Sequence, residues 1–240
     1  IKIKIFNYFF QNFYLKKQLS CNENVLKSYN LDKNKIKKIL NQNSLSYSSE
    51  NLSWHHHIFA GFSNKKKINI LEIGTYDGSF ANYLSKIFPN SSVYTCDLSQ
   101  KNSFFKKTYN RENNNFLYLF LNKRKKNILN KNIKFIEMDS FDLIDKFSNK
   151  KFDFIWVDGN HLAPQVQFDI FQSIKLIKKG GYFFVDDIIK KDFSHKYGST
   201  ESYQTLEFLF KMRNIKTSYL YKRLWHKNLY QEKFIPITKV

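Results

Sequence analysis

Ile68-Asn69-Ile70-Leu71-Glu72-Ile73-Gly74-Thr75-Tyr76-Asp77-Gly78 carries an apolar run that ends in two glycines. Four of its first six residues are Ile or Leu, and two glycines four apart then break the run. This predicts a buried strand closing in a tight turn, with a helix from about Ser79 to Phe88 that Pro89-Asn90 ends. Downstream the pattern repeats. Ser92–Cys96 reads as a second strand ending at Asp97, and Ile133–Met138 as a third. Phe152–Val157 reads as a fourth, ending at Asp158. Val166, Ile170, Ile174 and Ile177 mark one face of a helix over Pro164–Lys178, which Gly180-Gly181 is expected to stop. Tyr182–Val185 is the fifth strand, ending at Asp186-Asp187. A helix near Glu201–Met212 and strands near Ile215–Tyr221 and Phe234–Thr238 complete the set.

Strands alternating with helices mean βαβ units. The expected fold is α/β, a doubly wound, mostly parallel seven-stranded Rossmann-like sheet. Residues 68–240 form that domain. Residues 1–67 are expected to be a helical N-terminal extension or cap, with Ile36, Ile39 and Leu40 on one amphipathic face and a Ser/Asn-rich loop over Ser44–Ser53.

Composition narrows the function classes. Among 240 residues, 42% are hydrophobic and 25 are Phe, enough to bury a large core, which excludes a disordered chain. Seven Gly and three Pro exclude collagen-like sequence. No apolar run approaches the roughly 20 residues of a membrane span. Cys21 and Cys96 make no disulfide framework, so the expectation is a protein of a reducing, cytoplasmic compartment. Net charge is +20, with 12 basic and 3 acidic residues over 1–69, 17 and 13 over 70–187, and 11 and 4 over 188–240. A solvated basic surface explains this balance, and a nucleic-acid footprint is the alternative.

The near-neutral middle places its acids where each strand ends, at Glu72, Asp97, Asp139, Asp158 and Asp186-Asp187. In an open parallel sheet ligands bind at that edge. The first turn lacks the G-x-G-x-x-G spacing, because Tyr76 and Ser79 stand at its second and third glycine positions, and it lacks a phosphate loop. It has E-x-G-x-x-x-G instead, with Asp97 at the end of strand two placed to accept ribose hydroxyls.

With these features in order, residues 66–188 resemble class I S-adenosylmethionine-dependent methyltransferases. The resemblance implies a cofactor site of Glu72, Gly74, Thr75, Tyr76 and Gly78 around the methionine part, Asp97 on the ribose, Asp139 and Ser140 near the adenine, and Asp158 beside them. A second constellation, Asp153-Phe-Ile-Trp-Val-Asp158-Gly-Asn-His161 followed by Gly180-Gly-Tyr-Phe-Phe-Val-Asp186-Asp187, is similar to metal-dependent O-methyltransferases and to a broader bacterial D-G-x-H methyltransferase family. That similarity implies Mg²⁺ on Asp158, Asp186 and Asp187. His161 stands at the position of a catalytic Lys, and Asp187 at that of an Asn. Clustered carboxylates need a cation or a shared proton, and hard oxygens suit Mg²⁺. Imidazole titrates near neutral pH, so His161 could take a hydroxyl proton. The structural alternative is that Asp158 and Asp186 cap the segments after their strands.

Other signals are read as structural. Trp54-His55-His56-His57 cannot turn three imidazoles to one site, since adjacent residues point apart. The run Lys101–Lys134, ten Lys/Arg against Glu112 alone, is expected to be one amphipathic helix with its aromatics inward, and Asn113–Asn115 a loop. The segment around His195, Lys196, Tyr197 and Ser199–Tyr203 is expected to be a substrate lid.

The functional expectation is methyl transfer to a hydroxyl of a small molecule or sugar-containing metabolite, Mg²⁺-assisted. A nucleic-acid methyltransferase using the basic flanks is the rival, disfavoured because no N-P-P-Y-like tetrapeptide follows strand four. A non-catalytic or hydroxylase-like relative on the same fold is a third reading. A homodimer through the C-terminal edge strand and a monomer both remain open.

Overall fold

The computed structural model describes residues 2–48, 52–64, 66–191, 200–213, 217–226 and 229–240. Its strands are β1 (Asn69–Ile73), β2 (Ser92–Asp97), β3 (Ile133–Glu137), β4 (Phe152–Val157), β5 (Ile177–Val185), β6 (Thr217–His226) and β7 (Leu229–Lys239). They form one seven-stranded sheet in the order β3-β2-β1-β4-β5-β7-β6. The pairs β1/β2, β1/β4, β2/β3 and β4/β5 are parallel, and β6/β7 is antiparallel. The α/β, doubly wound, Rossmann-like expectation holds. Strand order reverses between β1 and β4, which opens the crevice where such sheets take ligands.

The helices are α1 (Lys2–Ser28), α2 (Lys33–Gln42), α3 (His55–Phe62), α4 (Ser79–Ile87), α5 (Ser103–Lys107), α6 (Asn114–Asn127), α7 (Leu143–Lys146), α8 (Gln165–Leu176) and α9 (Glu201–Arg213). The chain groups into two units, residues 64–185 with 239–240, and residues 1–63 with 186–238. No helix among the described residues is long and apolar enough to cross a membrane.

In the first unit β1 and β4 are apolar on both faces, as interior parallel strands require. Ile70, Leu71, Val93, Phe152, Ile155, Trp156, Phe183 and Phe184 are fully buried there. Val166, Ile170 and Ile174 face inward on α8 as the periodicity predicts. Two expectations are corrected. The helix stops at Leu176, and β5 begins at Ile177 and runs through Gly180-Gly181. The glycines form a bulge instead of a helix stop. Ile177 pairs with Phe152 and Tyr182 with Phe154, so extra residues must loop out between them. Gly181 lies so close to β4 that a Cβ would stand 2.8 Å from Asp153 O.

The second correction concerns residues 101–134, which fold as α5 and α6 with aromatics on the outside. Phe104, Phe116 and Tyr118 are exposed, and only Phe105 is buried. Arginines take the inner positions. Arg111 and Arg124 are buried, with guanidinium centres 4.1 and 4.9 Å from the Phe105 ring and 4.3 and 4.9 Å from Phe120. Periodicity assigned the aromatics to the core because it cannot see a guanidinium stacking beneath them. Asn113 caps α6 by accepting the N–H groups of Asn115 and Phe116, so Asn114 and Asn115 are helical.

In the other unit Asp32 caps α2, and Ile36 and Leu40 are buried as predicted. Asn22 on α1 exchanges two 2.8 Å hydrogen bonds with the backbone of Tyr221, and Gln18, one turn earlier, accepts Leu224 N–H at 2.7 Å. These amides satisfy the outer edge of β6, the edge a second chain would otherwise pair with. The histidine run lies on α3. His57 is fully buried, stacks on Trp54 at 4.2 Å and bonds Tyr47 O at 2.8 Å, a structural role. Burial holds His56 and His57 neutral, at pKa values of about 4.

Candidate functional site

The turn after β1 is built on close backbone approaches. Gly74 and Thr75 donate their N–H groups to Cys96 O at 2.9 and 3.2 Å, which ties the turn to the end of β2. Gly74 has φ +99°, and a Cβ there would lie 2.2 Å from Asp158 O. Only glycine can occupy that position. Gly78, at φ +74°, starts α4 against Ile128 in the same way.

Asp97 faces this turn. Its Oδ2 accepts Tyr76 N–H at 2.9 Å and its Oδ1 accepts Leu98 N–H at 2.8 Å. Arg124, buried against the aromatics, donates Nε–H to Tyr76 O at 2.8 Å and holds a terminal nitrogen 3.5 Å from Asp97 Oδ2. Burial raises the Asp97 pKa, and the Arg124 charge limits that rise. Two further acids of the turn differ sharply. Burial among carboxylates pushes Glu72 well above the usual range, while Thr95 Oγ1 donates to its Oε2 at 2.5 Å and meets the Thr75 hydroxyl at 2.6 Å. Burial also acts on Asp77, but Lys123 at 2.7 Å and bonds from Ser79 more than offset it, so that pKa is lowered.

The third and fourth strand ends are joined through α8. Asp139 caps the 3₁₀ turn after β3 by accepting Phe141 N–H at 3.1 Å. Gln165 and Gln172 reach the Ser140 hydroxyl at 2.5 Å and its carbonyl at 2.8 Å. Asp158 follows β4, its N–H donating to Ile73 O at 2.8 Å, and its carboxylate lies 3.4 Å from His161 Nε2. The sequence therefore placed Asp97 against the turn and His161 beside Asp158. Glu72 and the Thr75 hydroxyl instead turn into the sheet.

Asp169 on α8 escaped the sequence reading. It is 1% exposed, and its Oδ1 accepts Gln165 Nε2 at 3.2 Å. Its Oδ2 lies 3.3 Å from where a Gly159 side chain would begin. Burial raises its pKa to about 6, against bonds from Ser140 and Gln165 that lower it. The available signal was polar spacing: Gln165, Asp169 and Gln172 recur at helical intervals beside the apolar stripe. Arg124 was hidden for a different reason, inside a run of lysines that reads as solvated.

Asp186 follows Val185, the register partner of Val157, so it leaves the strand end next to that of Asp158. Asp158, His161 and Asp186 have the ligand types for a metal ion. Asp186 and Asp187 already meet cations, however: Lys222 binds both carboxylates and Lys233 Nζ lies 2.6 Å from Asp187 Oδ2. Two acids of the Mg²⁺ set expected from the sequence, Asp186 and Asp187, thus carry lysine partners. The expected lid residues His195, Lys196, Tyr197 and Ser199 lie outside the described residues, whereas Ser202 and Tyr203 belong to α9.

A Rossmann-like sheet with an acid-lined crevice and a glycine turn fastened to the β2 acid is the arrangement of class I S-adenosylmethionine-dependent methyltransferases. Residues 71–188, just under half of the chain, match the family described as Methyltransferase domain. Among solved structures it is similar to the O-methyltransferase TomG of Streptomyces achromogenes, in complex with S-adenosylmethionine, at 15% identity and TM-score 0.56 over 87% of this chain and 90% of that one. An O-methyltransferase of Bacillus cereus in complex with S-adenosylhomocysteine matches at 15% identity and TM-score 0.52, covering 94% and 100%. An rRNA methylase of Streptococcus thermophilus matches at 12% and 0.52, covering 77% and 93%. At these identities the likeness is one of fold. No curated protein matches.

The residues present fit the cofactor of the class. A carboxylate offers about four acceptor sites, and Asp97 uses one on Oδ1, leaving capacity there for a ribose hydroxyl.

Proposed function

We propose that this chain is an S-adenosylmethionine-dependent O-methyltransferase acting on a hydroxyl of a small molecule or sugar-containing metabolite. The observation that carries the acceptor chemistry is the Asp158–His161 pair, 3.4 Å apart after β4, beside the turn that Gly74 and Asp97 build. Asp97 would hold the ribose, the turn from Glu72 to Gly78 the methionine part, and Asp139 with Ser140 the adenine side. When bound, the cofactor supplies an electrophilic methyl group on a sulfonium. His161 would accept the hydroxyl proton as the acceptor oxygen bonds to the methyl carbon and the carbon–sulfur bond breaks. Asp158 would steady the resulting imidazolium. Holding the acceptor in line supplies much of the acceleration.

Mg²⁺ assistance through Asp158, Asp186 and Asp187 is the other form this chemistry could take, and the lysines on the last two acids weigh against it. The O-methyltransferases among the structural neighbours support a hydroxyl acceptor, and the rRNA methylase keeps RNA as the second reading. Incubation with methyl-tritiated cofactor and separate pools of hydroxylated metabolites and RNA tests the choice. Label in the metabolite pool, lost in His161→Asn while cofactor binding persists, is the expected result. Label in RNA alone contradicts it.

A further inference from the structure

Asp186 and Asp187 are each engaged by a cation from the chain itself. The Lys222 ammonium bonds Asp186 Oδ2 and lies 2.6 Å from Asp187 Oδ1, and Lys233 lies 2.6 Å from Asp187 Oδ2. All four side chains are at most 15% exposed. Asp187 adopts φ +53°, a left-handed conformation that Asp tolerates better than most residues. The lysines come from neighbouring positions of one hairpin, since Arg223 pairs with Lys233 across β6 and β7. His55 and His56 on α3 also feel the Lys222 charge, which adds to burial in keeping both neutral.

Two carboxylates and two ammoniums cancel, so the pair needs no external cation. A divalent ion bridging the two carboxylates would compete with both ammoniums in a largely dehydrated cluster. We propose that Lys222 and Lys233 stand in for the metal at the Asp186–Asp187 pair, so that this chain transfers methyl groups without a divalent ion. This rests on the methyltransferase reading above.

The test is Mn²⁺ binding to the purified full chain, followed by the electron paramagnetic resonance of the free aqua ion. The wild type is expected to leave that signal unchanged up to about 1 mM Mn²⁺, weaker than dedicated carboxylate sites. The Lys222→Met/Lys233→Met variant should gain a saturable site that a further Asp186→Asn change removes, and Lys222→Arg should behave as wild type. If the double variant does not fold, the wild-type titration still decides. Saturable wild-type binding below about 1 mM that Asp186→Asn abolishes would overturn the proposal. S-adenosylmethionine titrated into the same protein in excess chelator reports on the methyltransferase reading separately. Failure there would sink that reading and leave the Mn²⁺ result standing.

Discussion

Asp97 Oδ2 receives the backbone N–H of Tyr76 at 2.9 Å, so the acid that ends β2 is fastened to the glycine turn that follows β1. Arg124 closes the triangle, bonding Tyr76 O and approaching the same carboxylate. The Arg124→Met variant removes the charge that limits the Asp97 pKa, so Asp97 will take up a proton at a higher pH than in the wild type. If the ionised carboxylate holds the ribose, cofactor affinity falls as pH drops, and it should fall earlier in the variant. Titrations between pH 5 and 8 check this; identical profiles would count against it.

Gly74→Ala forces a Cβ to within 2.2 Å of Asp158 O at φ +99°. Backbone strain and the clash should cost about 2 kcal/mol or more, a fall in melting temperature of roughly 4–8 °C. Gly180→Ala is the control. Its φ is +80°, but nothing lies within 4 Å of the new Cβ, so the expected loss is smaller, about 1 kcal/mol. Equal losses in thermal melts would contradict the close approach.

Burial raises the Asp169 pKa to about 6, above the ordinary aspartate value of about 3.9. Between those values the folded chain holds a proton that the unfolded chain has released. Its stabilising contribution is therefore complete at low pH and disappears as pH rises towards 6 and beyond. Asp169→Asn should flatten the fall in melting temperature between about pH 4 and 6 relative to wild type. Parallel curves would show that Asp169 ionises normally.

Asn22→Ala leaves the N–H and C=O of Tyr221 without their side-chain partners. A loss of about 2–4 kcal/mol is expected from two part-buried backbone groups. The freed edge of β6 should also promote self-association, measurable by light scattering. An unchanged melting temperature with a monodisperse variant would show that α1 does not guard this edge.

The parallel core was legible because each βαβ unit announces itself through a short apolar run, a turn and an amphipathic helix. Acids at the strand ends were legible for the same reason, as breaks in those runs. Contacts made by long polar side chains were not. Lys222 reads as one more lysine in a basic strand, and only the folded hairpin brings it to Asp186. Arg111 and Arg124 look solvated because a guanidinium under aromatic rings has no periodic signature. In the sequence the Gly180-Gly181 bulge reads as a helix stop, since glycine interrupts helix and strand patterns alike.

Calorimetric titration of S-adenosylmethionine into the wild-type chain and into Asp97→Ala, with circular dichroism to establish that both are folded, decides whether the glycine turn and Asp97 hold the cofactor. Saturable wild-type binding in the range of about 1–100 µM is expected, weakened roughly tenfold to a hundredfold in the variant by loss of charge-assisted hydrogen bonds. A folded wild type that gives no binding heat and no displaceable cofactor, or a variant that binds as tightly as wild type, would contradict it.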